Sequence, residues 1–368
     1  MALNLGKVSF RYSILPQALS YPKVILALRS LISLLMLLIL NSSTAQSPPS
    51  MFISDEGLWI PRILCPDFTW PRPIQANIIT DTPPTPSISN PIARRLWGLL
   101  HRLLARLSES YCSWFNIPFA PPIMALPFGL ILKWSDRTRI EEAIAMQMAR
   151  AAGMPVPKVL CYGEHPSDSF RPISILMTRL PGWPLNNSTD QFIAEEEEPW
   201  FNELEKCLRA MRKWKSPFKG KQICSAIGTS ISTQRVPGHA MGPFKAEEEL
   251  HEYLLSPASS HGFTSLEEYQ TTMAQARKII DIPHYIVFTH GDLKAHNILV
   301  DENYCLSGFL DWESAGWCPE YWDFTTAMRF GRNSWWYQAM SILGGDQYMA
   351  ELEYDRALNN LTVDSYIG

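Results

Sequence analysis

Apolar residues recur at helical spacing along residues 92–107, and four arginines occupy other positions of the same segment. The apolar positions are Ile92, Leu96, Leu99, Leu100, Leu103, Leu104 and Leu107, and the arginines are Arg94, Arg95, Arg102 and Arg106. Repeats of three and four residues place the apolar side chains on one face of a helix. A basic amphipathic helix of this kind either docks on a neighbouring domain or lies on an anionic membrane. The pattern alone leaves both alternatives open.

Strand-like and helical patterns alternate after this segment. Residues 128–134 and 172–180 are typical of strands, and residues 138–153 between them are typical of a helix that opens with a capping box and closes at a glycine. Further helices are predicted over residues 195–214 and 265–280, and the last part of the chain is mostly helical. This order predicts a small α+β lobe followed by a largely helical region.

The beginning of the chain divides into two segments of unlike composition. Residues 1–45 contain four Lys or Arg and no acid, with an apolar run over residues 31–40. We interpret this segment as a signal or anchor, as a membrane-surface segment that contacts lipid through residues 22–40, or as an extension with no folded role. Residues 46–91 contain ten prolines, which remove backbone donors and therefore predict a linker or a loosely packed arm.

Composition narrows the classes of function. The 368 residues are 46% hydrophobic and 18% charged, which is typical of a globular protein. The formal net charge of −4 gives no reason to expect a nucleic-acid partner. Seven scattered cysteines without a C-x-x-C pair argue against a disulfide framework or a zinc site. A cytoplasmic location is therefore expected, and a form anchored through the N-terminal apolar run is the alternative.

Polar residues interrupt two apolar runs in the segment FTHGDLKAHNILVD, residues 288–301. His290, Asp292 and Asn297 have the spacing H-x-D-x-x-x-x-N, which is typical of a phosphoryl-transfer loop. In such a loop, Asp292 orients the attacking hydroxyl and accepts its proton, and the amide oxygen of Asn297 binds magnesium. Asp311 ends the next strand, and the intervening hairpin predicts that it lies beside Asn297 as a second magnesium ligand.

The same loop has a second interpretation, a metal site formed by His290, Asp292 and His296. No further His or Cys lies nearby at ligand spacing, so the sequence gives this alternative little support. Under the phosphoryl-transfer interpretation, we expect His290 to brace the loop through hydrogen bonds of its ring.

A phosphotransfer site also requires a cation on the phosphates. Lys133 lies in the apolar run FGLILKW, where a lysine needs a reason because buried lysines are rare. The following helix offers Glu141, at a first-turn capping position, and Glu142, which borders the apolar face. We therefore predict that Glu142 pairs with Lys133. The alternative for Lys133 is an edge-strand lysine that reaches solvent.

Several segments together resemble the aminoglycoside phosphotransferase/choline kinase-like family in its fungal form. They are THGDLKAHNILVD, GFLDWESAGWCPEYWDF, LPFGLILKWSD, MPVPKVLCYG and ILMTRLPG. The resemblance implies an α+β, two-lobed protein-kinase-like fold, with a small β-rich N-lobe and a larger, mainly helical C-lobe. The amphipathic helix and the nucleotide-binding N-lobe would span residues 92–182, and the catalytic C-lobe would span residues 183–368.

The resemblance also implies roles for single residues. Asp292 would be the catalytic base, and Lys133 with Glu142 would position the phosphates of ATP. Asn297 and Asp311 would hold Mg2+. The implied reaction is transfer of the γ-phosphate of ATP to a hydroxyl of a small-molecule alcohol.

One part of the family pattern is missing. The residues FNIPFAPPIMALPFG carry prolines where glycines would let backbone amides approach phosphates. The alternative to a phosphotransferase is therefore a catalytically silent kinase-like protein that binds a ligand or partner. A protein kinase is a weaker expectation, because no A-P-E pattern follows Asp311. We expect a monomer or a weak dimer.

Overall fold

The computed structural model describes residues 51–53, 59–71, 77–329 and 331–362. All of them belong to one compact unit, Pro49–Gly368. The predictions for residues 1–45, including lipid contact through residues 22–40, lie outside the described residues. Within the part of the chain that is described, no helix is both long and apolar enough to span a bilayer.

Fourteen strands and eight α-helices are described, joined by loops and short 3-10 turns. The strands are β1 (Met51–Ile53), β2 (Trp59–Pro61), β3 (Ile123–Leu126), β4 (Leu130–Lys133), β5 (Val159–Glu164), β6 (Ile173–Thr178), β7 (Trp183–Pro184), β8 (Cys224–Ser225), β9 (Ile231–Thr233), β10 (Val236–Met241), β11 (Ile286–Thr289), β12 (Ile298–Val300), β13 (Leu306–Phe309) and β14 (Gly316–Pro319). The helices are α1 (Pro91–Trp114), α2 (Ile140–Ala151), α3 (Trp200–Met211), α4 (Glu247–Leu255), α5 (Leu266–Arg277), α6 (Trp322–Met328), α7 (Trp335–Ile342) and α8 (Met349–Thr362).

A four-stranded antiparallel sheet forms the small lobe, in the order β3-β4-β6-β5. Helix α2 covers one face of this sheet and helix α1 covers the other. On strand β6, Ile175 joins the apolar cluster to which α2 contributes, whereas the neighbouring Ser174 hydrogen-bonds to His101 of α1. Successive side chains of a strand point to opposite faces, so the two helices lie on opposite sides.

Helix α1 docks on the sheet through a face that includes only Leu104 of the predicted apolar positions as a buried residue. Gly98 lies so close to β5 that a Cβ atom there would be 2.1 Å from the carbonyl oxygen of Glu164. Ser108 donates to the carbonyl of Ala125 at 2.6 Å, and His101 is fully buried. Gly98 is required at the closest point because any side chain there would prevent this approach of the two backbones. The apolar positions left exposed are Ile92, Leu96, Leu99 and Leu103.

Part of the proline-rich segment, residues 46–91, packs against the small lobe. The backbone N–H of Trp70 donates to the carbonyl of Arg179 at 2.9 Å. Gly129 approaches the same segment so closely that an added Cβ would be 2.7 Å from the carbonyl oxygen of Phe68. The prolines remove donors, but the remaining N–H and carbonyl groups pair with the small lobe.

Helices and short strands of the large lobe enclose an aromatic core. Trp200, Phe288 and Trp317 are buried in one apolar cluster that also includes residues of α2. Strands β12 and β13 form an antiparallel hairpin, and β7 pairs with the other edge of β12. This hairpin begins directly after Asn297 and ends two residues before Asp311. The two-lobed α+β fold that the resemblance implied is confirmed.

Candidate active site

The loop between β11 and β12 is fixed by hydrogen bonds at its start. The carboxylate of Asp323 accepts from the backbone N–H of His290 at 3.1 Å and from that of Gly291 at 2.7 Å. The ring Nε2 of His290 donates to the carbonyl of Leu310 at 2.9 Å. Gly291 has a φ of 81°, and a Cβ atom there would be 2.0 Å from the carbonyl oxygen of Ser314, so the turn requires glycine. These bonds brace the loop, as expected for His290.

Asp292 is buried on this loop, with 2% of its surface exposed. Its Oδ1 lies 2.9 Å from Nζ of Lys294, and its Oδ2 accepts from Nε2 of Gln234 at 3.1 Å. Asn297 Nδ2 donates to the carbonyl of Asp292 at 2.9 Å. One oxygen of the carboxylate therefore faces a positive charge, and the other faces an amide group.

The β12–β13 hairpin brings the two predicted magnesium ligands together. Its register pairs Ile298 with Phe309, and the backbone N–H of Leu310 donates to the carbonyl of Asn297 at 2.8 Å. Asp311 follows in the left-handed region, with φ 61° and ψ 64°. This conformation is uncommon for residues other than glycine, and aspartate is among those that tolerate it best. Pairing of β12 with β13 therefore brings Asn297 and Asp311 close together.

Lys133 joins the small lobe to the large lobe through ion pairs. Its Nζ lies 2.8 Å from Oε1 of Glu142 on α2 and 2.6 Å from Oδ1 of Asp311. A third carboxylate, Glu313, lies 3.6 Å away and also contacts Arg137. The lysine is 7% exposed, so the alternative of a lysine reaching solvent is not observed. The structure brings Lys133 to Glu142 as predicted, and Glu141 instead accepts from Thr229.

Burial and mutual attraction set the protonation of this cluster. Burial disfavours the charge of Lys133, but the carboxylates around it raise its pKa above the usual lysine value. Burial raises the pKa of Glu142 despite the opposing attraction of Lys133. Burial also raises the pKa of Glu313 to about 7, with a further increase from Asp311. Burial acts to raise the pKa of Asp311, but the combined effects of Lys133, His290 and Arg137 lower it.

The oxygen donors at the hairpin ends fit a magnesium ion. Asn297 uses its amide nitrogen for hydrogen bonds to Asp292, which leaves its amide oxygen for another partner. The side chain of Asp311 contacts Lys133 through Oδ1 and is 34% exposed. Carboxylate and amide oxygens are the hard ligands that Mg2+ prefers. The role of both residues as its ligands stays a prediction.

The alternative metal triad does not form. Both ring nitrogens of His290 are engaged, with Leu310 and with the backbone N–H of Asp292, and His296 is exposed. Among the described residues, no group of three or more His, Cys, Asp or Glu is arranged to hold a metal ion. A magnesium site formed by Asn297 and Asp311 remains compatible with this, since it uses one carboxylate and one amide.

Sequence reasoning missed two residues of the site. Gln234 reaches Asp292 from the turn between β9 and β10, and Arg137 reaches Glu313 from the segment before α2. Neither lies in a periodic pattern or at a motif spacing, so the sequence carried no signal for them. Their proximity arises from tertiary packing alone.

In place of a glycine-rich loop, the structure has a tight turn. Strands β3 and β4 are joined by residues 127–129, and Phe128 and Gly129 both have positive φ. The backbone N–H of Phe128 donates to the carbonyl of Ile63 at 2.8 Å. The segment around Phe68 therefore covers this turn. The described residues contain no glycine-rich cradle next to Lys133.

Comparisons with known proteins give one match to a family model. The model of the phosphotransferase enzyme family (APH) matches residues 129–357. We found no match among curated proteins. Among solved structures, an aminoglycoside-3'-phosphotransferase of type VIII is similar, with 15% identity, 63% of this chain and 84% of that chain covered, and a TM-score of 0.40. A choline/ethanolamine kinase family protein from Mesorhizobium loti has 18% identity, 65% and 73% covered, and a TM-score of 0.38.

The match to the family model extends over more than half of the chain. It begins at the turn before β4 and ends within α8. It therefore includes Lys133 and Glu142 on the small lobe, and Asp292, Asn297 and Asp311 on the large lobe. The chain belongs to the phosphotransferase enzyme family.

Proposed function

We propose that the protein transfers the γ-phosphate of ATP to a hydroxyl of a small molecule. The proposal depends on one observation. The buried Asp292 shares a loop with Asn297, and the hairpin after that loop brings Asp311 into contact with Lys133. A proton acceptor, oxygen donors and a buried cation are the parts that phosphoryl transfer requires. Membership of the phosphotransferase enzyme family supports the same reaction.

On the acceptor side, Asp292 orients the substrate hydroxyl and takes up its proton. The new bond forms between the acceptor oxygen and the γ-phosphorus, and the bond from that phosphorus to the β–γ bridging oxygen breaks, so ADP leaves. Lys294, 2.9 Å from Asp292 Oδ1, keeps a positive charge beside the carboxylate. Asn297 holds the backbone of Asp292 through its side-chain amide. The loop thus presents one aligned base.

On the donor side, Lys133 provides the cation for the phosphates of ATP. Glu142 holds the lysine at 2.8 Å and prevents it from turning away. Burial of both groups keeps their attraction strong. Mg2+ bound by Asn297 and Asp311 would neutralise phosphate charge and align the donor phosphates.

The second candidate is a silent kinase-like protein that binds a ligand or a partner. The tight turn at residues 127–129, covered by the segment around Phe68, favours it, because no glycine-rich cradle contacts phosphates there. Calorimetric titration with Mg-ATP separates the two candidates. We expect saturable binding that Lys133→Met weakens. Absence of binding to the native chain would support the silent protein.

An acceptor screen tests the reaction itself. Hydroxylated metabolites and antibiotics would be offered one by one with ATP and Mg2+, and ADP release would be measured. The Asp292→Asn variant is the matched control, because it removes the base with little change in shape. ADP release that depends on both the acceptor and Asp292 supports the proposal, and release that is equal in the variant contradicts it.

We also propose that the protein works in the cytoplasm, as a monomer or weak dimer. ATP is available there, and the seven cysteines are unpaired. Imaging of a tagged full-length chain tests the location, and sedimentation over a range of concentrations tests the oligomeric state.

A further inference from the structure

The outward face of α1 carries four large apolar side chains in its first four turns and a fifth, Trp114, at its last residue. Ile92, Leu96, Leu99 and Leu103 are 69%, 62%, 59% and 57% exposed, and Trp114 is 68% exposed. At ~100° per residue, these five positions lie within about 60° of one another. We call them the α1 stripe. At ~1.5 Å per residue, the stripe is about 33 Å long.

The orientation of the α1 stripe is fixed by contacts on the opposite face of the helix. His101 is fully buried, its Nδ1 lies 2.6 Å from Oγ of Ser174, and burial lowers its pKa to about 3, so the ring is neutral. Tyr111 donates to the carbonyl of Leu64 at 3.0 Å. With this face docked on the small lobe, Leu96, Leu99 and Leu103 stay outside the core. Exposed large apolar side chains grouped in this way, as at Ile92, Leu96, Leu99 and Leu103, mark an interaction site.

Arginines border one side of the α1 stripe. Arg95 and Arg106 are exposed, and Arg102 is half-buried. Among the arginines of this helix, Arg94 alone pairs with a carboxylate in the part of the chain that is described. Glu109 is the one acid in the sequence of α1. The face therefore complements a partner that has both an apolar layer and a negative surface.

The α1 stripe lies outside the region that performs the proposed reaction. The family match begins at residue 129, beyond the end of α1 at Trp114. Residues 1–45 of the same chain contain four Lys or Arg, no acid and the apolar run at residues 31–40. Two basic and apolar segments thus precede the catalytic region, and both suit the same kind of surface.

We propose that α1 docks the protein on the surface of an anionic phospholipid bilayer. The helix lies parallel to the bilayer, with the α1 stripe at the acyl boundary and Arg95, Arg102 and Arg106 among the lipid phosphates. Trp114 suits this depth, because tryptophan favours the interface. A bilayer fits better than a second copy of the chain, which would bring further arginines into the contact with only Glu109 from each helix to offset them.

Co-sedimentation of the full-length chain with vesicles tests the apolar contact. Vesicles of phosphatidylcholine with about 30% phosphatidylserine mimic an anionic leaflet. The double variant Leu96→Ser/Leu103→Ser should bind them about tenfold less, because binding scales with apolar area. The matched control is Leu266→Ser/Ile342→Ser, whose leucine and isoleucine are 66% and 58% exposed elsewhere on the surface. That control should bind like the native chain.

A second pair of variants tests the charge. Arg95→Gln/Arg106→Gln should lower binding to the anionic vesicles about tenfold and leave binding to pure phosphatidylcholine unchanged. Arg209→Gln, an exposed arginine of α3, is the control and should have little effect. Equal binding of the native chain to both kinds of vesicle would overturn the electrostatic part of the proposal.

Further outcomes decide between the bilayer and other occupants of the face. If the Leu96/Leu103 variant binds vesicles like the native chain, and only Leu35→Ser/Leu38→Ser reduces binding, the run at residues 31–40 is responsible and the proposal is wrong. If the Leu96/Leu103 variant changes the sedimenting mass without changing vesicle binding, the face joins two copies, and the proposal is again wrong.

Discussion

The two sides of the proposed active site hold their charges in opposite ways. On the donor side, one ammonium, Lys133, is surrounded by carboxylates that lie 2.6–3.6 Å away. On the acceptor side, one carboxylate, Asp292, is surrounded by the donors of Lys294, Gln234 and Asn297. Around Lys133 the carboxylates outnumber the ammonium group, whereas around Asp292 the hydrogen-bond donors outnumber the carboxylate.

This difference separates the tasks of the two sides. The carboxylates around Lys133 outnumber this one cation. A further cation that enters with the nucleotide should therefore stabilise the donor side. Asp292 already has its partners, so the acceptor side gains mainly from precise orientation. Substitutions on the donor side should therefore affect stability and nucleotide binding, whereas those on the acceptor side should affect turnover.

The largest effect is expected for Asp292→Asn. The change removes the proton acceptor and keeps the shape, so turnover should fall about 10^3-fold. Binding of Mg-ADP and the midpoint of thermal unfolding should change little. If the turnover of this variant stays within tenfold of the native value, Asp292 is not the base. Single-turnover measurements with an acceptor from the screen give the comparison.

Lys133→Met should have the next largest effect, on stability. Removing the buried cation leaves carboxylates without a partner, which should lower the free energy of unfolding by about 3 kcal/mol. The added change Glu142→Gln should restore part of this loss. Arg209→Met is the control, since its side chain is 74% exposed and its ion pair with Glu205 should contribute less than about 1 kcal/mol. Urea unfolding measures all four proteins, and equal losses for the two single variants would contradict the contrast.

Glu313→Gln should change how stability depends on pH. The pKa of Glu313 is raised to about 7 in the folded protein, so the neutral form is favoured by folding. Its contribution is fully present below the unfolded-state pKa and is lost as pH rises through about 7. The variant should therefore gain about 1–3 kcal/mol relative to the native protein between pH 5 and pH 8. Glu313→Asp keeps an ionisable group and should keep the native trend. A pH-independent difference between Glu313→Gln and native would contradict the expectation.

The smallest effect is expected for Gln234→Ala. One neutral donor to the carboxylate of Asp292 is lost, so turnover should fall about two- to fivefold while Mg-ADP affinity stays unchanged. Gln347→Ala, an exposed change in the large lobe, is the control. A drop in Mg-ADP affinity that matches the drop in turnover would show that Gln234 acts on the donor side instead.

The sequence predicted the parts of the site that local patterns encode. Asp292 and Asn297 lie five residues apart on one loop, and the apolar strands on both sides predict the hairpin that brings Asp311 to Asn297. The pair of Lys133 and Glu142 followed from the rarity of buried lysines and from helix periodicity, and the structure joins the two at 2.8 Å. Short-range spacing was sufficient in each case.

The sequence could not predict contacts that depend on packing between distant segments. The contact between Gln234 and Asp292 spans 58 positions and follows no motif. Periodicity located α1 but not its docking face, because apolar periodicity assumes that leucines face the core. The ten prolines of residues 46–91 gave no indication that part of this segment pairs with the small lobe, as the backbone N–H of Trp70 does.

The contact at Gly98 leaves no room for even the smallest side chain between α1 and β5. A single methyl group at this position would force the helix and β5 apart by about 1 Å, because the carbonyl of Glu164 belongs to backbone and cannot give way. The 24 residues of α1 are rigid along their length, so that displacement would tilt or rotate all of them together. Variation along the outer face leaves the docking of α1 intact, whereas variation at Gly98 would shift the whole helix against β5. The exposed leucines would move with it, so this one position limits how accurately that surface is placed.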